Sequence, residues 1–168
     1  LVVGGAMAYA FTSAKKEPLP PGAKAPSVED IDAALSILRE ARRREIPVLL
    51  PLDTVESFDI GPQSIAKFQE FLAKAKTIFW NGPLGWFEKP EYAKGTFAIA
   101  HGIAPLKALK VVGGGDTVSA IKQSGLAEQF DHLSTGGGAV LEYLEGNGLP
   151  GIDILKHRQT IGCGFTST

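Results

Sequence analysis

Cysteine is almost missing from this sequence. Cys163 stands alone among 168 residues, so no internal disulfide can form, and the usage fits a reducing compartment. Histidine is nearly as scarce: His101, His132 and His157 are too scattered for any zinc-ligand spacing, and no structural metal site is expected. Neither sign of charge prevails. A formal net charge of -1 makes no electrostatic case for nucleic acid or for an acidic membrane surface. No apolar run approaches the roughly 18 residues that cross a bilayer. The opening LVVGGAMAYAF has the apolar character of a signal-peptide core, but it lacks a basic start and a cleavage site and reads as structure. The chain opens at Leu1 without an initiator methionine, as a fragment or a processed product would. There is no G-x-x-x-x-G-K-[ST] loop and no H-R-D or D-F-G set, which excludes P-loop and protein-kinase readings.

What is present is a repeated grammar. With 44% hydrophobic and 21% charged residues, the composition is that of an ordinary globular domain. Short apolar runs lead into glycine or proline and then into helical periodicity: LVV into GGAMAYAF, PVLLPLD, TIFWNGPLG, LKVVGGGDTVSAI and HLSTGGGAVLEYL. Runs that are apolar on consecutive residues suit strands buried on both faces of a parallel sheet. Between them, Ser27 and Asp30 have capping-box spacing. Val28, Ile31, Leu35 and Leu38 recur on one helical face, and Arg42, Arg43 and Arg44 complement that helix's C-terminal dipole. A second helix is expected to turn Ile65, Phe68, Phe71, Leu72 and Ala75 inward, and Gly146 to end the last clear helix. Strands alternating with helices predict an α/β domain with a mostly parallel sheet. Lys15 to Pro26 reads as an exposed proline-rich loop, and residues 152–168 as a tail without assignable period.

The glycine clusters all fall where such strands end, the edge at which open parallel sheets bind ligands. Helix N-termini there attract phosphate. Asp116 is the exception, since a carboxylate would repel phosphate unless a cation lay between them. Mg²⁺ binds through one or two carboxylates plus substrate phosphates; equally, Asp116 could cap its helix through the amide of Val118 or Ser119. Gly146, Gly148 and Gly151 spell G-x-G-x-x-G. The match follows a helix, contains Pro150 and precedes no clear helix, so it is rejected as a dinucleotide fingerprint.

GGAMAYAF, LLPLDTV, DIGPQSI, FWNGPLGWFE, GGGDTVSAI, LSTGGGAVLEYLEG and LPG, in this order from Gly4 to Gly151, resemble the C-terminal, nucleotide-binding domain of phosphoglycerate kinases. The resemblance implies a Rossmann-like three-layer α/β domain over residues 1–151, with ADP or ATP and Mg²⁺ as ligands. It implies Gly4 and Gly5 in the adenine pocket and Asn81, Gly82, Pro83 and Leu84 as the loop beside base and phosphates. Phe87 would pack near the nucleotide and Glu88 would accept from the ribose hydroxyls. Gly113, Gly114 and Gly115 would admit the phosphates, with Asp116 on Mg²⁺ and Thr117 at the phosphate end. Gly136, Gly137 and Gly138 would open the helix facing the transferred phosphoryl group.

Four departures stand beside it. The family's basic phosphoglycerate-binding domain and its Gly-Gly-Ala-Lys stretch have no counterpart here. Only Glu56, Ser57 and Phe58 join LPLDTV to DIGP, where the family has a longer connection. Ser57-Phe58 replaces the usual Gly-Leu in the base-pocket wall, and residues continue past LPG. Two readings follow: the nucleotide half of an enzyme moving a phosphoryl group between 1,3-bisphosphoglycerate and ADP, inactive when alone, or a truncated domain serving as a structural or assembly subunit. The missing N-terminal domain or another protein is the expected partner. The cytoplasm is the expected compartment, with the chloroplast or another organelle left open.

Overall fold

The structure, a computed structural model, describes residues 1–158; Cys163 and most of the sequence-defined tail lie outside them. Its centre is a parallel sheet of three strands, β3 (Thr77–Asn81), β4 (Leu109–Gly113) and β5 (His132–Ser134), in the order β3-β4-β5. Asn81 pairs with Gly113 and Gly113 with Ser134, so the three strands end level with one another. A separate antiparallel hairpin joins β1 (Thr54–Val55) to β2 (Asp59–Ile60). The fold is α/β with a mostly parallel sheet, as the alternating pattern predicts.

The first two apolar runs fall short of full strands. Val2 and Leu49 form an isolated parallel bridge, held by the Val3 amide on the Leu49 carbonyl at 3.0 Å and the Leu49 amide on the Leu1 carbonyl at 2.9 Å. Pro47 and Pro51 flank the second run, and without N–H groups they cannot extend a ladder.

The helices are α1 (Met7–Ala14), α2 (Val28–Arg43), α3 (Pro62–Leu72), α4 (Lys94–Ile103), α5 (Gly115–Gln123), α6 (Gly137–Leu144) and α7 (Pro150–Arg158). Ser27 and Asp30 form the expected capping box on α2. Its inward face is carried by Ile31, Ala34, Leu35, Leu38 and Ala41, whereas Val28, expected to point inward, is 69% exposed. A side chain in the first turn has no preceding turn to pack with. Phe68 is fully buried on α3. Gly146 has φ +86°, and the Gly146 and Asn147 amides reach back to Tyr143 and Glu142, closing α6 in a Schellman motif. Contrary to expectation, a helix does follow GNGLPG: α7 opens at Pro150, whose missing N–H is harmless at a first helical position. The segment still follows a helix, not a strand, so it is no dinucleotide fingerprint. That helix also runs across the expected boundary between residues 151 and 152.

Three apolar clusters form the interior. One joins Ile60, Phe68, Ile78, Trp80, Leu84 and Val112 around the sheet. Another joins Val3, Ala8, Ala10, Phe11 and Ala34 between α1 and α2, and a third, smaller one joins Phe87, Ala93 and Ala120.

Candidate functional site

At the level ends of β3, β4 and β5 the two glycine triples meet. Gly114 has φ +92°, a left-handed conformation natural only to glycine. Its amide donates to the Ser134 carbonyl at 2.9 Å, tying the end of β4 to the end of β5. Gly137 lies against it so closely that a Cβ there would stand 2.8 Å from the Gly114 Cα and 2.9 Å from Asn81 Oδ1. Asn81 thus sits where both triples converge. The helices opening there, α5 and α6, have Gly114 and Gly136 as N-caps and no side-chain capping bond. Their first-turn amides carry the positive dipole end without a side-chain acceptor, the arrangement that receives anions.

Asp116 lies exposed in the first turn of α5. Of its two readings from sequence, the helix cap fails, because Gly114 holds that place and no side chain bonds the turn. Among the described residues no group of three His, Cys, Asp or Glu could hold a metal. A lone carboxylate beside an anion site fits Mg²⁺ taken up together with phosphate oxygens.

Thr117 is fully buried, and its Oγ1 accepts the Gly82 amide at 2.7 Å. Its hydroxyl therefore fixes the loop after β3, which is how the strand ends are joined to a second element, a cavity of about 320 Å³. Pro83 and Leu84 of that loop line the cavity, together with Gly5, Ala6 and Tyr9 from the start of the chain, and Ser57, Phe58, Asp59 and Trp86. The Leu84 and Gly85 amides both donate to Thr96 Oγ1, at 3.0 and 3.2 Å, so the loop is anchored on α4 as well. Gly4 packs on Leu84, and Gly5, at φ +59°, on the Pro83 carbonyl.

Two of the polar side chains around this cavity, Asp59 and Tyr9, are engaged with the protein itself. Asp59 is 4% exposed and accepts the Ile60 amide at 2.8 Å and the Gly95 amide at 2.7 Å. Burial nonetheless raises its pKa above the usual carboxylate range, the two amides opposing. The Tyr9 hydroxyl donates to the Ser57 carbonyl; burial raises its pKa while that bond opposes the shift. The hairpin wall is strained: Glu56 and Ser57 have φ +48° and +61°, costing about 1–2 kcal/mol per residue. Tyr92 braces it with a 2.5 Å hydrogen bond to Glu56. At the far foot of the hairpin, Asp53 caps α3 in place of Gly61, accepting the Gln63 amide at 3.0 Å and the Ser64 amide at 2.8 Å. Burial works to raise the Asp53 pKa, and the Ser64 and Gln63 bonds outweigh it, leaving the group below its ordinary value.

Of the residues singled out in sequence, Gly5, Pro83 and Leu84 come together at the cavity, and Asn81, Gly113 and Gly114 converge with Gly137 at the strand ends. Gly115, Asp116, Gly136 and Gly138 lie in the same two helix openings. Glu88 is exposed on the loop beyond Trp86. Phe87, expected near the nucleotide, turns inward instead: it is 4% exposed and packs with Ala93, Ala120 and Phe97, away from the cavity lining. Ala6, Tyr9, Asp59 and Trp86 were not singled out, because their meeting depends on contacts between distant segments.

The phosphoglycerate kinase family model matches residues 56–147, more than half of the chain. The chain belongs to the phosphoglycerate kinase family. It is 42% identical over 180 aligned positions to the phosphoglycerate kinase of Bdellovibrio bacteriovorus, covering 94% of this chain and 44% of that protein. It is 39% identical to the cytosolic phosphoglycerate kinase of Crithidia fasciculata, covering 95% of this chain and again 44% of the relative. The phosphoglycerate kinase structure from Coxiella burnetii superposes with a TM-score of 0.83 at 34% identity, over 92% of this chain and 46% of that one. The chain thus spans less than half the length of the phosphoglycerate kinases it matches. The 180 aligned positions exceed the 168 residues of the chain, so the Bdellovibrio protein carries residues that this chain omits. No described helix is long and apolar enough to cross a membrane.

Proposed function

We propose that this chain is the nucleotide-binding half of a phosphoglycerate kinase, transferring a phosphoryl group between 1,3-bisphosphoglycerate and ADP. The observation that carries this is the convergence of both glycine triples on Asn81 at the strand ends, tied through the Gly82–Thr117 bond to a cavity sized for a base. The cavity holds the base, Glu88 accepts from the ribose hydroxyls, and the amides opening α5 and α6 receive the phosphates. Asp116 would hold Mg²⁺, which would supply charge neutralisation to the phosphates when bound. Phosphoryl transfer depends mainly on positioning and charge stabilisation, and backbone amides fixed by two packed glycine turns supply the positioning. The phosphoglycerate half of the reaction belongs to a domain of the family outside this chain, and the cytoplasm is the compartment that suits the reading.

The test is calorimetry of MgADP and free ADP with Asp116→Asn. The substitution keeps size and removes the anionic ligand, so MgADP binding falls far more than free ADP binding; equal MgADP affinity in wild type and variant rejects the metal role. Glu88→Gln is expected to cost about 1–2 kcal/mol of ADP affinity, the scale of a charge-assisted hydrogen bond, and little for 2′-deoxy-ADP. A coupled assay of the chain, alone and with a separately expressed N-terminal half of a phosphoglycerate kinase, separates enzyme from scaffold. Turnover appears only with the added half if the enzyme reading holds.

A further inference from the structure

The proline-rich segment between α1 and α2 takes no part in the candidate site, yet its conformation is closely determined. The rings of Pro18, Pro20 and Pro21 fix φ near −65°. Each residue before a proline is pushed to the extended region as well, which covers Glu17, Leu19 and Pro20. Residues 17–21 therefore each carry at least one restriction toward polyproline II geometry, and residues 17–20 join no helix or strand. Both ends are tied. The Lys15, Lys16 and Glu17 amides return to the last turn of α1, on the Phe11, Ser13 and Thr12 carbonyls at 3.1, 2.9 and 3.1 Å. At the other end the Ala23 amide donates to the Pro20 carbonyl at 3.1 Å, around Gly22 at φ +80°. That is the form of a type II turn with Pro21 as its first central residue.

The segment has an inner and an outer edge. Leu19 and Pro20 are half-buried and, with Ala8 and Pro51, line a second cavity of about 510 Å³. Pro18, which also borders that cavity, and Pro21 are exposed. Polyproline II completes a turn every three residues, so the two exposed rings share one edge, about 9 Å apart at ~3.1 Å per residue. Lys15 lies three residues further upstream. It and its neighbour Lys16 are exposed and in no ion pair with a described residue. The spacing Lys15-x-x-Pro18-x-x-Pro21 thus presents a cation and two proline rings to solvent in sequence order. A loop that only connects two helices needs no such stiffness. A ligand already held in its docking conformation loses little entropy when a groove closes on it, and this is how proline-rich segments are recognised.

We propose that residues 15–21 are a docking segment for a partner protein whose aromatic-lined groove takes Pro18 and Pro21 and whose carboxylates beside the groove pair with Lys15. The proposal draws on no residue of the strand ends and stands whether or not nucleotide binds. The test is calorimetry of the 168-residue chain with a panel of purified SH3 domains that take ligands with a basic residue three positions before PxxP. Each domain is also tested with its groove aromatic residues replaced by alanine. Binding is expected to at least one intact domain and to none of the altered ones. Pro18→Ala and Pro21→Ala are each expected to weaken it about tenfold, the scale of one anchor residue. Lys15→Ala is expected to weaken it about threefold at low salt, with the difference shrinking at high salt. Pro26→Ala, outside the spacing, is expected to leave it unchanged. Thermal unfolding of each variant, expected within a few degrees of wild type, keeps loss of docking apart from loss of fold. Absence of binding to every intact domain at millimolar concentration overturns the proposal. Binding that persists to domains without groove aromatics overturns it too, as does equal affinity of wild type and the folded Pro18→Ala and Pro21→Ala variants.

Discussion

The two ends of the candidate site are built from different materials. The strand-end half is backbone: Gly114 and Gly137 in contact, two uncapped helix openings, and one exposed carboxylate. The cavity half is side chain: a braced hairpin, an aromatic rim and a buried aspartate with both oxygens engaged. Backbone geometry leaves little room at two of these positions: an added Cβ at Gly137 collides with main chain that cannot rotate away, and Gly114 has a positive φ. Side-chain walls can be re-cut residue by residue. Constraint at the strand ends and freedom at the cavity follow from that division.

Substitutions can break the contrast at its rigid end first. Gly137→Ala is expected to have the largest effect, since its Cβ would meet the Gly114 Cα at 2.8 Å. Forced overpacking of this kind costs about 1–3 kcal/mol; urea unfolding should show it, together with loss of measurable MgADP binding. Next comes Thr117→Val, which keeps the shape and leaves the Gly82 amide without its acceptor. An unsatisfied buried donor costs about 1–3 kcal/mol, and because Gly82 joins the two ends, ADP affinity should fall along with stability.

Around the hairpin and cavity the expected effects are smaller and depend on pH. Asp53→Asn should cost about 1 kcal/mol at neutral pH as a lost helix cap. The Asp53 pKa is lowered by folding, so its contribution is present above the ordinary value of about 3.9 and disappears as pH falls through the folded value. Asp59 is raised by folding; its contribution is present below about 3.9 and is lost as pH rises through the folded value. The acid limb of a stability–pH curve should therefore be steeper in wild type than in Asp53→Asn, and shallower than in Asp59→Asn. The reverse order would show that the two carboxylates have been misassigned. Ser57→Gly should give the smallest change, a gain of about 0.5–1 kcal/mol from relieved positive-φ strain, read as a rise in Tm with the Tyr9–Ser57 carbonyl bond intact.

What the sequence made legible follows the same division. Glycine triples, the Asn81–Leu84 loop and Asp116 are local words, and local words survive without knowledge of the fold. The α2 capping box and the Gly146 helix end are legible for the same reason. Phe87 shows the limit: the resemblance implies a place near the nucleotide, and no local signal reports that its ring packs with Ala93 and Ala120. Thr117 is another, since its partner Gly82 lies thirty-five residues away. The runs at Val2 and Leu49 had the apolarity of strands, but Pro47 and Pro51 removed the amides that a ladder needs. Asp53 as a cap for α3 had no local signal at all, because its helix begins beyond the whole hairpin.

The separation of the α1–α2 cluster from the cluster around the sheet has a consequence for motion. The cavity lies at their seam: Tyr9 comes from the α1–α2 side, and Ile60 and Leu84 belong to the cluster around the sheet. The smaller cluster holds to the rest partly through a single strand bridge, so α1 and α2 should open as a unit below the energy of global unfolding, and their amides should exchange with deuterium sooner than those of β4. A ligand seated in the seam touches both sides and must be released before that unit can open. Binding would then appear in an exchange experiment as slowed labelling of α1 and α2, well away from the glycine triples themselves.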